Sequence, residues 1–145
     1  MRKCLKDFFF TFLIPLFYLG GPGLIYLTQT RVGLLSQLPG LLITIIGLVF
    51  WFGGYFSLGL ANFSVLPSVK ALKTKGFYQI TAHPIYLGIF LTFLGLSLAT
   101  GSTLGLVYTF FAILPLNLYR ARLEERKLKN RFGKTFQEYK KSKIF

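Results

Sequence analysis

The groups best suited to chemistry gather in two short stretches of this chain, residues 76–88 and 120–125. The first stretch holds His83, the only histidine, and the second holds Glu124 and Glu125, two of only four acidic residues. No charged side chain lies between the two stretches. Acid–base, charge-stabilising and ion-binding roles all need groups that donate, accept or carry charge. A reaction site is therefore expected where these two stretches meet.

The composition of the chain indicates a membrane protein. Of its 145 residues, 53% are hydrophobic and only 14% are charged, whereas a soluble domain carries about 25% charged residues. The net charge of +13 would suit nucleic acid, but no nucleic-acid-reading motif accompanies it. The basic residues lie in short blocks beside apolar runs, which favours the lipid bilayer as partner and argues against nucleic acid. No set of His, Cys and carboxylate residues has the spacing of metal ligands.

The apolar runs predict an all-α integral membrane fold, with about four transmembrane helices and a C-terminal cytoplasmic helix. The whole chain, 1–145, forms one membrane domain, with spans at about 8–27, 39–62, 84–100 and 103–119 and a cytoplasmic tail over 120–145. Pro84 marks the start of the third span, because proline suits the first turn of a helix. Residues 101–102 make the turn that folds the last two spans into a hairpin.

Small residues and prolines predict where these helices pack and where they bend. Glycines seven residues apart form stripes that let another helix backbone approach closely, although membrane helices are generally rich in glycine. Irregularities are expected at the glycine–proline cluster 20–23 and at Pro115. The tail helix is expected to break near Gly133. The stripes comprise Gly40, Gly47, Gly54 and Ala61 in the second span, and Gly88 and Gly95 in the third.

The basic blocks predict the orientation of the chain. The N-terminal head, the segment around residues 70–75 and the tail are strongly basic, whereas the loop around Arg31 and the turn at 101–102 are not. With four spans, all three basic segments fall on one side, as the positive-inside rule requires. We therefore expect a multi-pass protein of the cell (inner) membrane, with both termini cytoplasmic.

A hairpin of the third and fourth spans would bring the two polar stretches together. The start of the third span and the end of the fourth must then be neighbours, so His83, Tyr86, Arg120 and Glu124 can line one pocket. An ionisable residue at a membrane surface is by default a candidate functional residue. The alternative is an interfacial histidine satisfied by water, beside a solvated Arg120–Glu124 helix pair. Glu125 is expected to orient Arg122 or Lys129 on its own helix.

The order and spacing of these motifs resemble the isoprenylcysteine carboxyl methyltransferase family, within the wider group of phospholipid methyltransferase-like membrane enzymes. The likeness covers about residues 55–145. It consists of Gly76-x-Tyr78, then His83-Pro84-x-Tyr86-x-Gly88, a helical hairpin, Arg120-x-Arg122-x-Glu124-Glu125, and finally Phe132-Gly133 followed at an interval of five residues by Tyr139.

The resemblance implies an S-adenosylmethionine-dependent methyltransferase acting on a lipophilic or lipidated acceptor, most like carboxyl O-methylation of an isoprenylcysteine-type substrate. Arg120 matches the family arginine that holds the substrate carboxylate, a role that suits the fork of a guanidinium. No residue is assigned a covalent or acid–base step. The implied cofactor contacts are Leu72, Tyr78, His83, Pro84, Ile85, Tyr86 and Glu124.

Three other interpretations stay open at this point. The acceptor can be a phospholipid amine or a small amine or thiol. The chain can be a non-catalytic protein that retains the fold, which is suggested by Ala82, since the family usually carries arginine before His-Pro. It can also be a helical subunit of a larger complex, with its glycine stripes facing a partner.

Overall fold

A computed structural model of the chain describes residues 14–30, 34–58 and 74–143. All regular structure in these ranges is helical, which agrees with the all-α prediction. The elements are α1 (Ile14–Leu27), α2 (Leu34–Leu58), a 3-10 helix (Gly76–Gln79), α3 (Pro84–Thr100), α4 (Thr103–Tyr108), a π-helical turn (Thr109–Ile113) and α5 (Leu114–Lys141). The predicted span residues 8–13 and 59–62 lie outside the described ranges.

Two helical stretches within the described ranges are long and apolar enough to cross a membrane. They are Gln37–Ser57 and the continuous stretch Thr103–Lys141, and the shorter apolar helices Ile14–Leu27 and Pro84–Thr100 accompany them. Large apolar side chains face outward, including Phe56 at 73% and Phe111 at 80% exposure. An exterior of this kind is typical of a lipid-facing surface. The count of four spans stays a prediction.

The glycine stripes lie at the contact between α2 and α3. A methyl group added at Gly88 would sit 2.3 Å from the backbone nitrogen of Trp51, and one at Gly95 would sit 2.4 Å from that of Thr44. From the other side, a methyl group at Gly47 would sit 2.4 Å from the nitrogen of Thr92. Backbones this close leave no room for a side chain, so the predicted close packing is confirmed. The described stripe glycines face the chain's own helices, which removes the reason for assigning them to a partner subunit.

The glycine–proline cluster 20–23 was expected to kink or interrupt α1, and the helix is not interrupted there. The helix runs through Pro22 to Leu27, and an added methyl group at Gly21 would lie 2.2 Å from the ring of Phe93. The cluster therefore gives an aromatic ring of α3 close access to α1, as small residues do at membrane helix contacts. Pro39 likewise does not begin α2, which starts at Leu34. The helix therefore extends five residues further towards the N-terminus than the predicted span.

The predicted turn and irregularities in the second half of the chain are confirmed. Gly101 caps α3 with φ 63°, and the hydroxyl of Ser102 accepts a hydrogen bond from the Gly105 amide at 2.9 Å to start α4. The irregularity near Pro115 takes the form of the π-helical turn Thr109–Ile113, because proline cannot donate the bond that would continue a regular helix. Gly133 bends α5 with φ 51° and ψ −119°.

Candidate active site

The first turn of α3 and the first half of α5 meet at one end of the hairpin. His83 occupies the N-cap position of α3, and Pro84 begins the helix. The side-chain amide of Asn117 on α5 donates a hydrogen bond to the carbonyl oxygen of Tyr86 at 3.0 Å. This bond to the backbone of α3 fixes the register of the two helices. It therefore sets which residues of α5 face His83 and Tyr86.

Arg120 lies between two aromatic rings contributed by different helices. Its guanidinium carbon is 5.1 Å from the ring centre of Tyr86 on α3 and 5.8 Å from that of Tyr18 on α1. One guanidinium nitrogen donates a hydrogen bond to the Tyr18 hydroxyl at 3.2 Å. Cation–π contacts strengthen where water is excluded. The arginine is therefore held in place with its charge at the boundary of the apolar bundle.

Glu124 places a carboxylate beside the same tyrosine. The hydroxyl of Tyr86, which is only 6% exposed, donates a hydrogen bond to one carboxylate oxygen of Glu124. The other oxygen lies 3.9 Å from Nδ1 of His83. Helix α5 presents Arg120 and Glu124 one turn apart, so both charges lie against the ring of Tyr86.

Glu125 contacts His83 and Lys140, in place of the predicted partners Arg122 and Lys129. Its carboxylate accepts hydrogen bonds from Nε2 of His83 at 3.0 Å and from Nζ of Lys140 at 2.5 Å. The bond from His83 is the larger effect, and together with that from Lys140 it outweighs partial burial and lowers the pKa of Glu125 to about 2. The prediction was wrong because the bend at Gly133 returns Lys140 to this site, which no spacing on a straight helix could indicate.

The end of the tail also folds back onto the segment that precedes His83. The hydroxyl of Tyr139 donates to the carbonyl oxygen of Tyr78 at 2.5 Å, and Nζ of Lys143 donates to that of Gln79 at 2.8 Å. We call residues 134–143 the latch. Burial, with a further contribution from the charge of Glu124, raises the pKa of Tyr78. The side chain of Tyr78 therefore lies within electrostatic range of the cluster.

Two residues of the cluster were not predicted. The hydroxyl of Tyr18 donates to Asn117 Oδ1 at 2.6 Å. Asn117 could have been found, because it is the one amide in an apolar run and lies three residues before Arg120 and seven before Glu124, on the same helix face. Tyr18 is 99 positions from Asn117, and nothing in its local sequence distinguishes it from other tyrosines.

The structure brings together four of the predicted site residues and places the others differently. His83, Tyr86, Arg120 and Glu124 form the cluster described above. Pro84 and Ile85 lie against α2, since a methyl group added at Gly54 would meet Ile85 Cγ1 at 2.7 Å and Pro84 Cγ at 3.4 Å. Leu72 lies outside the described residues. The roles of all these residues in binding stay predictions.

Comparison with known families identifies the group to which this constellation belongs. The sequence profile of the phospholipid methyltransferase family matches residues 35–135. The chain belongs to the phospholipid methyltransferase family. The matched region contains all but the first residue of α2, all of α3 and the Arg120–Glu125 segment, so it spans both halves of the candidate site. No curated protein and no solved structure matches the chain.

Membership in the phospholipid methyltransferase family points to methyl transfer at a membrane. The phospholipid methyltransferase family is the wider group that the motifs resemble. Membership in the narrower isoprenylcysteine class stays a prediction. The cluster has the parts that such chemistry uses. Arg120 can bind an anion, Glu124 and the tyrosine rings can stabilise a cation, and His83 between two carboxylates can hold or transfer a proton.

Proposed function

We propose that this chain is an S-adenosylmethionine-dependent methyltransferase that acts on a lipophilic acceptor at the membrane surface. The observation that carries the proposal is the cluster of Arg120, Tyr86 and Glu124. It puts opposite charges against one buried ring where the apolar part of the hairpin gives way to the charged tail. Methyl transfer to a lipid-borne group needs polar groups at this boundary, where a lipid and a polar cofactor can meet.

The chemistry of the cluster fits the cofactor. S-adenosylmethionine, when bound, supplies an electrophilic methyl group on a positively charged sulfur. Glu124 offers a carboxylate to that charge, and the face of Tyr86 already holds one cation, Arg120, at 5.1 Å. We assign cofactor contacts to Leu72, Tyr78, His83, Pro84, Ile85, Tyr86 and Glu124, with the α2-facing side chains of Pro84 and Ile85 serving to set the backbone of the helix start.

Arg120 favours an acceptor that carries a carboxylate. Its guanidinium is held by Tyr18 and Tyr86, and a fixed fork binds a carboxylate through two parallel hydrogen bonds. A carboxylate nucleophile needs no general base. The charges of carboxylate and sulfonium are both dispersed in the transition state, so a water-poor site favours the reaction. The preferred acceptor is therefore a lipophilic acid of the isoprenylcysteine type.

A phospholipid amine is the second candidate, favoured by the family match and by His83. An amine acceptor must lose a proton. With Nε2–H donating to Glu125, Nδ1 is the acceptor side of the neutral ring, and it lies 3.9 Å from Glu124. His83 therefore has a ring nitrogen on the side of Glu124 that can accept a hydrogen bond from an amine acceptor.

A labelled product distinguishes the two acceptors. Membranes containing the protein are supplied with S-adenosylmethionine carrying a labelled methyl group, and the lipid extract is treated with alkali. A methyl ester releases labelled methanol, whereas an N-methyl product keeps its label. Labelled methanol supports the carboxylate acceptor, and label that survives alkali in a phospholipid establishes the amine. A protein that binds the cofactor yet labels nothing in either fraction contradicts both assignments.

Cofactor binding tests the site itself. Calorimetry on the purified protein in detergent compares Glu124→Gln with Glu138→Gln, which removes an equal charge from an exposed position in the latch. A hydrogen bond to a charged group contributes about 1.5–3 kcal/mol, so we expect Glu124→Gln to weaken binding about tenfold to a hundredfold and Glu138→Gln to leave it unchanged. Absence of binding to the folded wild-type protein would favour the non-catalytic interpretation.

We also propose that the chain crosses the cell (inner) membrane four times with both termini in the cytoplasm. The two long apolar stretches and the two shorter ones support this arrangement, as does the distribution of basic residues. An impermeant maleimide applied to intact cells should fail to label Ser142→Cys in a Cys4→Ser background, and should label it after permeabilisation. Labelling in intact cells would place the tail outside.

A further inference from the structure

A strongly basic groove adjoins Glu125, which forms part of its lining. It is a cavity of about 710 Å³ between the two arms of α5 that meet at Gly133. Neither the family match nor the methyl-transfer site accounts for it. Besides Glu125, the buried ring of Phe136 and Gln137, its lining consists of six cationic side chains, Arg122, Arg126, Lys129, Lys140, Lys141 and Lys143.

The cations of the groove greatly outnumber its carboxylates. Arg122, Arg126 and Lys129 follow one another at intervals of four and three residues, so they share a face of α5 and repel one another. Within the described residues, none of these three forms a salt bridge. The one carboxylate in the lining, Glu125, is already bound by Lys140 and His83. Such an arrangement is stabilised when an anion enters the groove.

The position of the groove identifies the anion as part of a lipid. The last predicted span ends at residue 119, and Arg122 to Lys129 follow within about 5–15 Å along a helix that rises 1.5 Å per residue. The headgroup layer extends about 5–8 Å beyond the hydrocarbon core on each side, so Arg122 lies within it. Arg126 and Lys129 lie just beyond it, with side chains long enough to extend towards it. Arginine forks match the oxygens of a phosphate, while Phe136 and the lysine stems provide an apolar floor beneath the charges.

We propose that this groove binds the phosphate of an anionic phospholipid headgroup. The cofactor fits the groove poorly, because six cationic side chains would repel its net positive charge. The proposal needs the chain to lie in a membrane but does not depend on methyl transfer. The ligand is therefore a bound lipid of the surrounding bilayer, held whether or not that lipid is ever methylated.

Lipid binding to the full chain in detergent tests the proposal by native mass spectrometry. Phosphatidylglycerol and phosphatidylcholine with the same acyl chains are titrated separately onto the cofactor-free wild-type protein. We expect phosphatidylglycerol to bind at least about tenfold more tightly, since each basic side chain near an anionic headgroup contributes about fivefold. Equal binding of the two lipids would overturn the proposal without any variant.

A matched pair of double variants locates the lipid. Arg126→Gln with Lys129→Gln removes one arginine and one lysine from the groove, and Arg131→Gln with Lys127→Gln removes the same charges from α5 outside the groove lining. The affinity of the groove pair for phosphatidylglycerol should fall about thirtyfold, and the affinity of the outside pair should equal that of the wild type. Equal losses would mean that general surface charge attracts the lipid, and the groove would then not be its site.

Two further measurements complete the test. Inorganic phosphate at millimolar concentration should not displace the lipid, and displacement at that concentration would make the groove a site for soluble phosphate and overturn the lipid assignment. S-adenosylhomocysteine binding, measured in parallel, should be the same in the groove pair as in the wild type. A groove that binds lipid in a protein that binds no cofactor would sustain this proposal while removing the proposed methyl transfer.

Discussion

Replacing Gly133 with alanine should release the latch, residues 134–143. Gly133 adopts φ 51° and ψ −119°, a conformation open to glycine but strained for any residue with a Cβ atom. No atom lies within 4 Å of an added methyl group, so the cost of the substitution comes from the backbone alone. That cost is about 1–3 kcal/mol.

The same substitution stabilises the straightened form of the helix. Alanine is favoured over glycine in a helix interior by about 1 kcal/mol, and a straight α5 would carry Lys140 away from Glu125. The two effects add to about 2–4 kcal/mol in favour of the undocked latch, since both disfavour the bend. At tenfold for each 1.4 kcal/mol, the undocked population should rise roughly 30- to 700-fold.

Limited trypsin digestion in detergent measures that population, because cleavage of a transiently opened segment follows its equilibrium abundance. Cleavage after Lys140 and Lys141 should accelerate in Gly133→Ala, whereas cleavage after Lys127, before the bend and outside the groove lining, should keep its wild-type rate. Gly23→Ala is the matched control, because Gly23 lies inside α1 with nothing within 4 Å of an added methyl group. Unchanged cleavage at Lys140 in Gly133→Ala would refute the idea that this backbone conformation holds the latch.

Three further substitutions test the packing, the ion pair and the aromatic clamp. Gly88→Ala should lower thermal stability by about 1–3 kcal/mol, because its methyl group would meet the backbone of α2 at 2.3 Å; Gly23→Ala should not. Because its pKa is lowered to about 2, Glu125 contributes stability above pH 4.5 that is lost as the pH falls towards 2. The melting temperature of the wild type should therefore fall further over that range than the melting temperature of Glu125→Gln. Tyr18→Phe should lower stability by about 0.5–1.5 kcal/mol and weaken acceptor binding, and Tyr26→Phe, at an exposed position of α1, should do neither; an effect of equal size from both would contradict the clamp.

The hairpin could be predicted from the sequence because its signals are local. Pro84 begins α3 as predicted, and the glycine turn at 101–102 ends it. The lengths of the apolar runs on the two sides of that turn then determine which residues lie together at the open end of the hairpin. Once the ends of the hairpin meet, His83 and Glu124 are brought within reach. The helical spacing of Arg120 and Glu124 then places both charges on the face that meets Tyr86.

The remaining parts of the site depend on angles and contacts that local sequence does not encode. Gly133 was predicted to break the tail, but the direction of the bend decides that Lys140 returns to Glu125. That tertiary contact overrode the helical pairing of Glu125 with Arg122 or Lys129, which is worth only about 0.2–0.5 kcal/mol. Tyr18 reaches the cluster because Gly21 lets α1 approach α3 closely. A glycine permits such an approach but does not indicate which helix will make it.

The adjacent glutamates explain how one short motif can serve two chemically different surfaces. Successive residues on an α-helix point about 100° apart, so Glu124 meets the tyrosine rings while Glu125 meets the basic latch. His83 lies between them, with one ring nitrogen 3.0 Å from Glu125 and the other 3.9 Å from Glu124. Glu125 pairs with Lys140 at the edge of the basic groove, and Glu124 accepts the hydrogen bond of the Tyr86 hydroxyl. The two carboxylates therefore have separate partners, one in the aromatic cluster and one in the basic groove, which a single carboxylate could not contact at once.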